Sequence, residues 1–322
     1  MQKILVIIGP TASGKSELAV RLAKKFGGEI ISADSRQVYK WLDVGTGKIT
    51  KEEMQGIPHH LLDVSEPKEQ FTVSEFIERA NQAIAMIYHN GHIPILAGGT
   101  GFYIDALAGK ISLNKVPVNE KLRRKLKELS PDKLFEILKD KDPRRARNID
   151  RNNKVRLIRA LEIVEALGSV PPIQKQASDK KFVYIGLKPI NLNEKIYKRL
   201  IVRLSGMIKE AEILIEKRKI TYRRMDELGL EYRYLAKYLQ GKISKEEMIN
   251  QLYKAIKLYA KRQMTWFRRN KDIKWFTLSG VEGFTPNEYQ KMEDYVKLSL
   301  GKEALDGGER PEKWRQSHRL GR

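Results

Sequence analysis

The chain has 322 residues, with 62 Lys and Arg against 40 Asp and Glu, a formal net charge of +22. Its 41% hydrophobic and 32% charged residues describe a folded globular protein and exclude a disordered one, while so large a charge, costly in self-repulsion, calls for a polyanionic partner, nucleic acid before a membrane surface. Cysteine is absent, which excludes disulfides and thiolate metal sites and agrees with a cytoplasmic protein, and no apolar run approaches the ~18–20 residues that span a bilayer.

The N-terminal third alternates short β-branched apolar runs with helical patterns. Ile4–Ile8, Glu29–Ser32, His60–Val64 and Pro94–Ala97 read as strands, and Ser16–Phe26 and Ser74–His89 as helices, the second behind a capping signal at Thr72-Val73-Ser74-Glu75. Such alternation predicts a doubly wound, mostly parallel α/β sheet. Composition then turns basic and helical, with helices expected at Glu120–Leu129, Pro131–Leu138 and Lys154–Leu167, the last closed by Gly168 and Pro171-Pro172. Phe182–Leu187 returns to a strand pattern. Helices follow at Glu194–Lys217, in a hairpin punctuated by Gly229 and Gly241, and at Lys245–Arg269, before a last strand at Ile273–Thr277. The expected organisation is a P-loop core of residues 1–114 and 180–300 with lid-like helices at about 205–245, a basic helical insertion at 115–179, and a disordered tail at 301–322.

Gly9-Pro10-Thr11-Ala12-Ser13-Gly14-Lys15-Ser16 matches G-x-x-x-x-G-K-[ST] where the motif must lie, after a strand and opening a helix. Its backbone N–H groups and the helix N-terminus cradle phosphate oxygens, Lys15 reaches the terminal phosphates, and the Ser16 hydroxyl is the expected Mg²⁺ ligand. The loop establishes phosphate binding, not the reaction. A second-metal acid of the ATPase type is not evident: Asp63 serves equally as a turn residue, and the strand Pro94–Ala97 runs into Gly98-Gly99-Thr100-Gly101-Phe102-Tyr103. That glycine run is expected to let a ligand approach the carboxyl edge of the sheet. The adjacent His59 and His60 face opposite ways in a strand and are not expected to hold a metal.

Five segments in this order, Gly9–Ser16, Asp34-Ser35-Arg36-Gln37-Val38-Tyr39, Gly98–Tyr103, Arg156-Leu157-Ile158-Arg159-Ala160-Leu161-Glu162 and Tyr259-Ala260-Lys261-Arg262-Gln263-Met264-Thr265-Trp266-Phe267, resemble tRNA dimethylallyltransferases, and the similarity runs from Lys3 to Phe276. The resemblance implies a core of P-loop nucleoside-kinase type that moves an isopentenyl unit from dimethylallyl diphosphate to N6 of adenosine 37 beside the anticodon. The P-loop would then hold a departing diphosphate, Asp34 would prepare the exocyclic amine, Thr100 would lie beside it, and Gln37 would read an adenine edge. Arg203, in a segment similar to the family's R-x-x-x-R-V-D-x-M pattern, would approach the diphosphate. The tRNA would meet Asp34, Ser35, Arg36, Gln37, Thr100, Arg123, Val155, Arg156, Leu157, Ile158 and Arg159. A monomer is expected.

Arg156 and Arg159 lie three residues apart on one helix face, beside an apolar stripe of Val155, Ile158 and Leu161, and Arg144, Arg145, Arg147 and Arg151 precede them. This density is read as a backbone clamp for the anticodon stem-loop, with a solvated face as the bland alternative. A second basic stretch, Lys257 to Arg269, interleaves Tyr259 and Trp266, which stack bases or simply belong to the core. The chain departs from the family pattern at Ile256 and Lys257, where Thr-Arg is usual, at Glu231, where glycine is frequent, and at Pro117-Val118-Asn119, where Pro-x-Asp is usual. Three rival readings are a small-molecule P-loop (nucleotide) kinase, an RNA-binding ATPase, and an isopentenyltransferase acting on free adenine nucleotides. The first leaves the charge and the Asp34–Gln37 segment unexplained.

Overall fold

The computed structural model describes residues 2–111, 113–114, 116–172, 180–280 and 283–301. The expected tail, apart from Gly301, and the last part of the expected insertion lie outside the described residues. The chain divides into two compact units, Met1–Ala108 with Ser178–Arg322, and Gly109–Ala177.

Among the described residues the first unit carries β1 (Gln2–Ile8), β2 (Gly28–Ser32), β3 (His59–His60), β4 (Ile93–Gly98), β5 (Lys180–Pro189) and β6 (Ile273–Leu278). They form one sheet in the order β3-β2-β4-β1-β5-β6, with every pairing parallel. In chain order the helices are α1 (Lys15–Phe26), α2 (Lys51–Met54), α3 (Val73–His89) and α4 (Gly101–Leu107), then α5 (Glu120–Lys127), α6 (Pro131–Lys141), α7 (Pro143–Ala146) and α8 (Lys154–Leu167) in the second unit. The first unit resumes with α9 (Leu192–Glu216), α10 (Tyr222–Leu228), α11 (Leu230–Leu239), α12 (Lys245–Phe267) and α13 (Pro286–Leu300).

The period-two alternation of β1 sorts its side chains between two cores. Ile4, Val6 and Ile8 join a core with residues of α3, α4 and α9–α12, whereas Leu5 and Ile7 pack with α1 and α13. The helices expected as lid-like contribute Met207, Ala211, Leu214, Met225, Leu228 and Tyr232 to the first of these cores. In the second unit, Leu134 and Leu138 of α6 pack with Leu157, Ile158, Leu161 and Val164 of α8.

Local chemistry explains where elements start. The Thr72 side chain accepts from Glu75 N while Glu75 reaches back to Thr72, a complete capping box for α3. The strand expected over His60–Val64 is cut to two residues: Leu61 and Asp63 take positive φ, 65° and 56°, and turn the chain off the sheet edge. His60 donates or accepts at 2.6 Å from the buried Glu29, which His92 also meets at 2.5 Å. Burial works against ionisation of Glu29, but the two imidazoles hold its pKa below the ordinary range. Glu29 thus engages both imidazoles at the sheet edge.

Candidate active site

Three chain segments leave the carboxyl edge of the sheet side by side: the P-loop after β1, residues 33–37 after β2, and residues 99–101 after β4. In the P-loop, Lys15 Nζ donates to Pro10 O at 2.7 Å. Burial lowers the Lys15 pKa to about 8, with the Asp34 carboxylate pulling it up and Arg199 pushing it down. The Ser13 hydroxyl is buried and has no hydrogen-bond partner among the described residues, which suits a loop built around an oxyanion. Ser16 stands exposed in the first turn of α1. A lone hydroxyl beside a phosphate cradle is the donor set Mg²⁺ uses, since it prefers oxygen ligands and takes most of them from phosphates and water. Asp63 pairs with Lys48 at 2.5 Å and takes a turn conformation with φ of 56°.

Asp34 Oδ1 accepts from Arg36 N at 2.9 Å and Gln37 N at 3.4 Å, so the side chain is oriented by the turn it closes. Its Oδ2 carries no hydrogen bond to another described residue. Thr100 Oγ1 accepts from Ser35 N at 3.0 Å and Thr100 N donates to Ala33 O at 3.1 Å, stitching the β4 exit to the β2 exit. Gln37 is held at both ends of its amide, accepting from Ser32 Oγ at 3.3 Å and donating to Gly47 O at 3.4 Å.

The glycine run after β4 serves a different purpose from the one expected. A Cβ on Gly99 would fall 2.3 Å from Gln263 Nε2, and one on Gly101 would fall 2.3 Å from the Trp266 indole. At these two glycines the close approach is by α12. Gln263, buried, donates to Gly99 O at 3.0 Å and accepts from Thr11 N at 2.8 Å, so it ties the P-loop to the β4 exit. Trp266, half-buried, donates from Nε1 to Asp105 at 2.8 Å, and Arg269 covers its ring at 3.7 Å. The Tyr259 hydroxyl lies near Gly99, and burial, reinforced by Asp34 and Glu231, holds its pKa above the ordinary value.

Beside the P-loop, Thr11, Ala12, Arg199, Arg203, Glu231 and Ile256 line a small cleft. Two of the family departures, Glu231 and Ile256, thus sit in one place. Burial raises the Glu231 pKa to about 7; Arg203 and Arg199 oppose the rise and Asp34 adds to it. Arg203 Nε donates to Val44 O at 2.9 Å, and its Nη2 to Gly45 O at 2.7 Å and also to Val44 O. Neither Arg199 nor Arg203 forms an ion pair with a described carboxylate, so two positive charges face the cleft beside Lys15. Burial and the neighbouring Arg203 lower the Arg199 pKa.

In the second unit, the expected nucleic-acid residues divide. Leu157 and Ile158 are 0% and 6% exposed and belong to its core, so their side chains are unavailable to RNA, while Val155 is 75% exposed and lies outside the apolar stripe assigned to it. Arg123 forms a forked pair with the buried Glu162, Nε–Oε1 2.7 Å and Nη2–Oε2 2.8 Å, and Arg159 meets the same carboxylate at 3.2 Å and Val116 O at 2.8 Å. Both arginines are committed inside the unit. Arg156 is exposed.

The roles of Gln263, Glu231 and Tyr259 escaped sequence reasoning. Gln263 and Tyr259 sat inside a quoted motif, and Glu231 was visible as a departure, but only long-range packing brings them to the P-loop.

The family model for IPP transferase matches residues 37–270. A tRNA dimethylallyltransferase of Thermoanaerobacter sp. (strain X514) is 42% identical over 318 residues, covering 93% of this chain and 98% of the relative. A tRNA dimethylallyltransferase of Geobacillus thermodenitrificans (strain NG80-2) is 39% identical, covering 95% and 98%. The crystal structure of the full-length tRNA isopentenylpyrophosphate transferase from Bacillus halodurans superposes with a TM-score of 0.70 at 34% identity, over 99% of this chain and 100% of that one. A structure of a eukaryotic dimethylallyltransferase acting on tRNA gives 0.75 at 27% identity, over 96% and 85%.

Proposed function

The chain belongs to the IPP transferase family, and on that premise we propose that it transfers a dimethylallyl group to tRNA, from dimethylallyl diphosphate to N6 of adenosine 37 in the anticodon loop. The observation that carries this reading is that Asp34, at the same sheet edge, and Arg199 of α9 both lie close enough to Lys15 to act on its charge, the first raising and the second lowering its pKa. A polyanion holder and a carboxylate for an amine proton stand side by side there.

In the proposed reaction a C–N bond forms between the amine and the allylic carbon, the allylic C–O bond breaks, and diphosphate departs with the bonding pair. Lys15, the P-loop N–H groups, Arg199 and Arg203 bind the diphosphate and stabilise the charge that develops on it. The Ser16 hydroxyl would hold Mg²⁺, which would supply further neutralisation of the leaving group. Asp34, already oriented through Oδ1, takes the proton lost by the amine through Oδ2. Gln37 orients the adenine, which has to leave the loop stack to reach Asp34 and Thr100. Arg156 contributes to holding the stem through its phosphates, as the net charge of +22 favours. The protein acts as a monomer in this reading.

The test is incubation with labelled dimethylallyl diphosphate, Mg²⁺ and unmodified tRNA bearing A36-A37-A38. Label enters the tRNA if the reading holds. Consumption of ATP without label in the RNA would overturn it in favour of a phosphoryl-transfer enzyme.

A further inference from the structure

The loop from Asp43 to Gly47, between β2 and α2, is gripped by one carboxylate of α9. Glu210 Oε2 accepts from Asp43 N at 2.8 Å and Val44 N at 2.7 Å, and Oε1 accepts from Gly45 N at 2.9 Å and from the Tyr232 hydroxyl at 2.7 Å. Three successive N–H groups turned to one side form an anion-binding concavity. Here the protein fills it with its own carboxylate, through charge-assisted bonds stronger than neutral ones. Tyr232 is buried, and its hydroxyl stays protonated because burial and Glu210 both raise its pKa well above the ordinary value. A Cβ on Gly45 would fall 2.5 Å from the Tyr232 ring, so the loop also packs hard against the second partner of Glu210.

With its N–H groups committed to Glu210, the loop turns its carbonyls toward the candidate active site. Val44 O and Gly45 O receive Arg203, and Gly47 O receives both Arg199 and Gln37 at 3.4 Å. Carbonyl acceptors orient a guanidinium without neutralising it, as a carboxylate partner would. The arginines keep their charge for an anion in the cleft, and Gln37 is set by the same peptide that holds Arg199.

We propose that Glu210 is a positioning residue for both substrates, fixing the 43–47 loop so that its carbonyls aim Arg199 and Arg203 at the diphosphate and Gln37 at the acceptor base. This rests on the function proposed above. The role was not legible in the sequence: Glu210 lies 165 residues from Gly45, and no motif contains both.

The experiment is a double-mutant cycle on inorganic pyrophosphate affinity, read by calorimetry, with melting temperature recorded for every variant. Gln at 210 keeps one acceptor oxygen but turns an NH₂ group toward backbone donors. E210Q is expected to weaken pyrophosphate binding by about tenfold or more, yet by less than about threefold in an R203A background, because the effect passes through Arg203. The KM for tRNA should rise in E210Q and be nearly unaffected by E210Q once Gln37→Ala is present. If E210Q does not fold, Glu210→Asp, which keeps the charge and shortens the reach, enters the same cycle. Additive losses, equal in wild-type and R203A backgrounds, would overturn the proposal. Because pyrophosphate binding needs no prenyl transfer, that result is distinct from failure of the proposed reaction, which shows as absence of label in tRNA.

Discussion

Lys15 and Asp34 follow two strands that end at one sheet edge, and the Asp34 carboxylate supports the Lys15 ammonium: burial lowers the Lys15 pKa to about 8 while Asp34 works to raise it. Below pH 8 the lysine is an ammonium, and above it the charge is lost. Pyrophosphate affinity should therefore fall as pH rises through about 8, after allowance for the ligand's own ionisation. Asp34→Asn removes the charge that supports the ammonium, so the Lys15 pKa drops and the fall begins at lower pH. Calorimetric titrations from pH 6.5 to 9.5 give the midpoint. A midpoint unchanged in D34N would show that the two groups do not communicate.

Glu231 gives a second, earlier titration. Its pKa, raised by burial to about 7, makes it neutral at pH 6 and anionic at pH 8, where it competes with a diphosphate for Arg203 and Arg199. Glu231→Gln should match wild type in pyrophosphate affinity below pH 6 and exceed it by roughly tenfold at pH 8. A ratio that stays flat with pH would place the carboxylate out of reach of the cleft.

Gln263 predicts a coupled loss of stability and activity. Gln263→Ala leaves Thr11 N and Gly99 O without their partners, at a cost of about 1–3 kcal/mol in urea unfolding. Donor affinity should fall with it, because the P-loop loses its tie to the β4 exit. Unchanged unfolding would mean that water replaces the amide at no cost.

The arginines of the second unit should separate by role. Glu162→Ala strips the shared partner from Arg123 and Arg159 and should destabilise the protein by about 3 kcal/mol. Arg156→Ala should leave unfolding unchanged while weakening tRNA binding and lowering the slope of log K against log salt by about one. Wild-type tRNA affinity should fall by roughly 10³-fold between about 50 and 200 mM salt if about six phosphates are contacted. A flat salt response would refute the clamp.

Much of this architecture was written locally. The P-loop announced itself because strand, glycines and helix follow one another within Ile4–Phe26, and α3 and α8 began and ended at their caps and closing glycine. α13 carries a local signal of the same kind, with Pro286 in its first turn and a capping box of Thr285 and Glu288. β3 was overextended because His60–Val64 is apolar, and apolar runs alone do not reveal the positive φ of Leu61 and Asp63. The glycine run was assigned to a ligand because nothing nearby in sequence shows that Gln263 and Trp266 occupy the space. The Glu210 clamp and the pairing of Arg123 with the buried Glu162 are contacts between distant residues, invisible to periodicity.

In the proposed reaction Asp34 prepares the nucleophile at a site whose P-loop holds the leaving group. The most direct measurement is single-turnover transfer of labelled dimethylallyl from its diphosphate to unmodified tRNA, with tRNA affinity measured in parallel, for wild type and Asp34→Ala. The expected result is label in wild-type tRNA with one diphosphate released per label, transfer abolished in D34A, and tRNA affinity nearly intact. Equal losses of transfer and affinity in D34A would contradict the claim and leave Asp34 as the residue that closes its own turn.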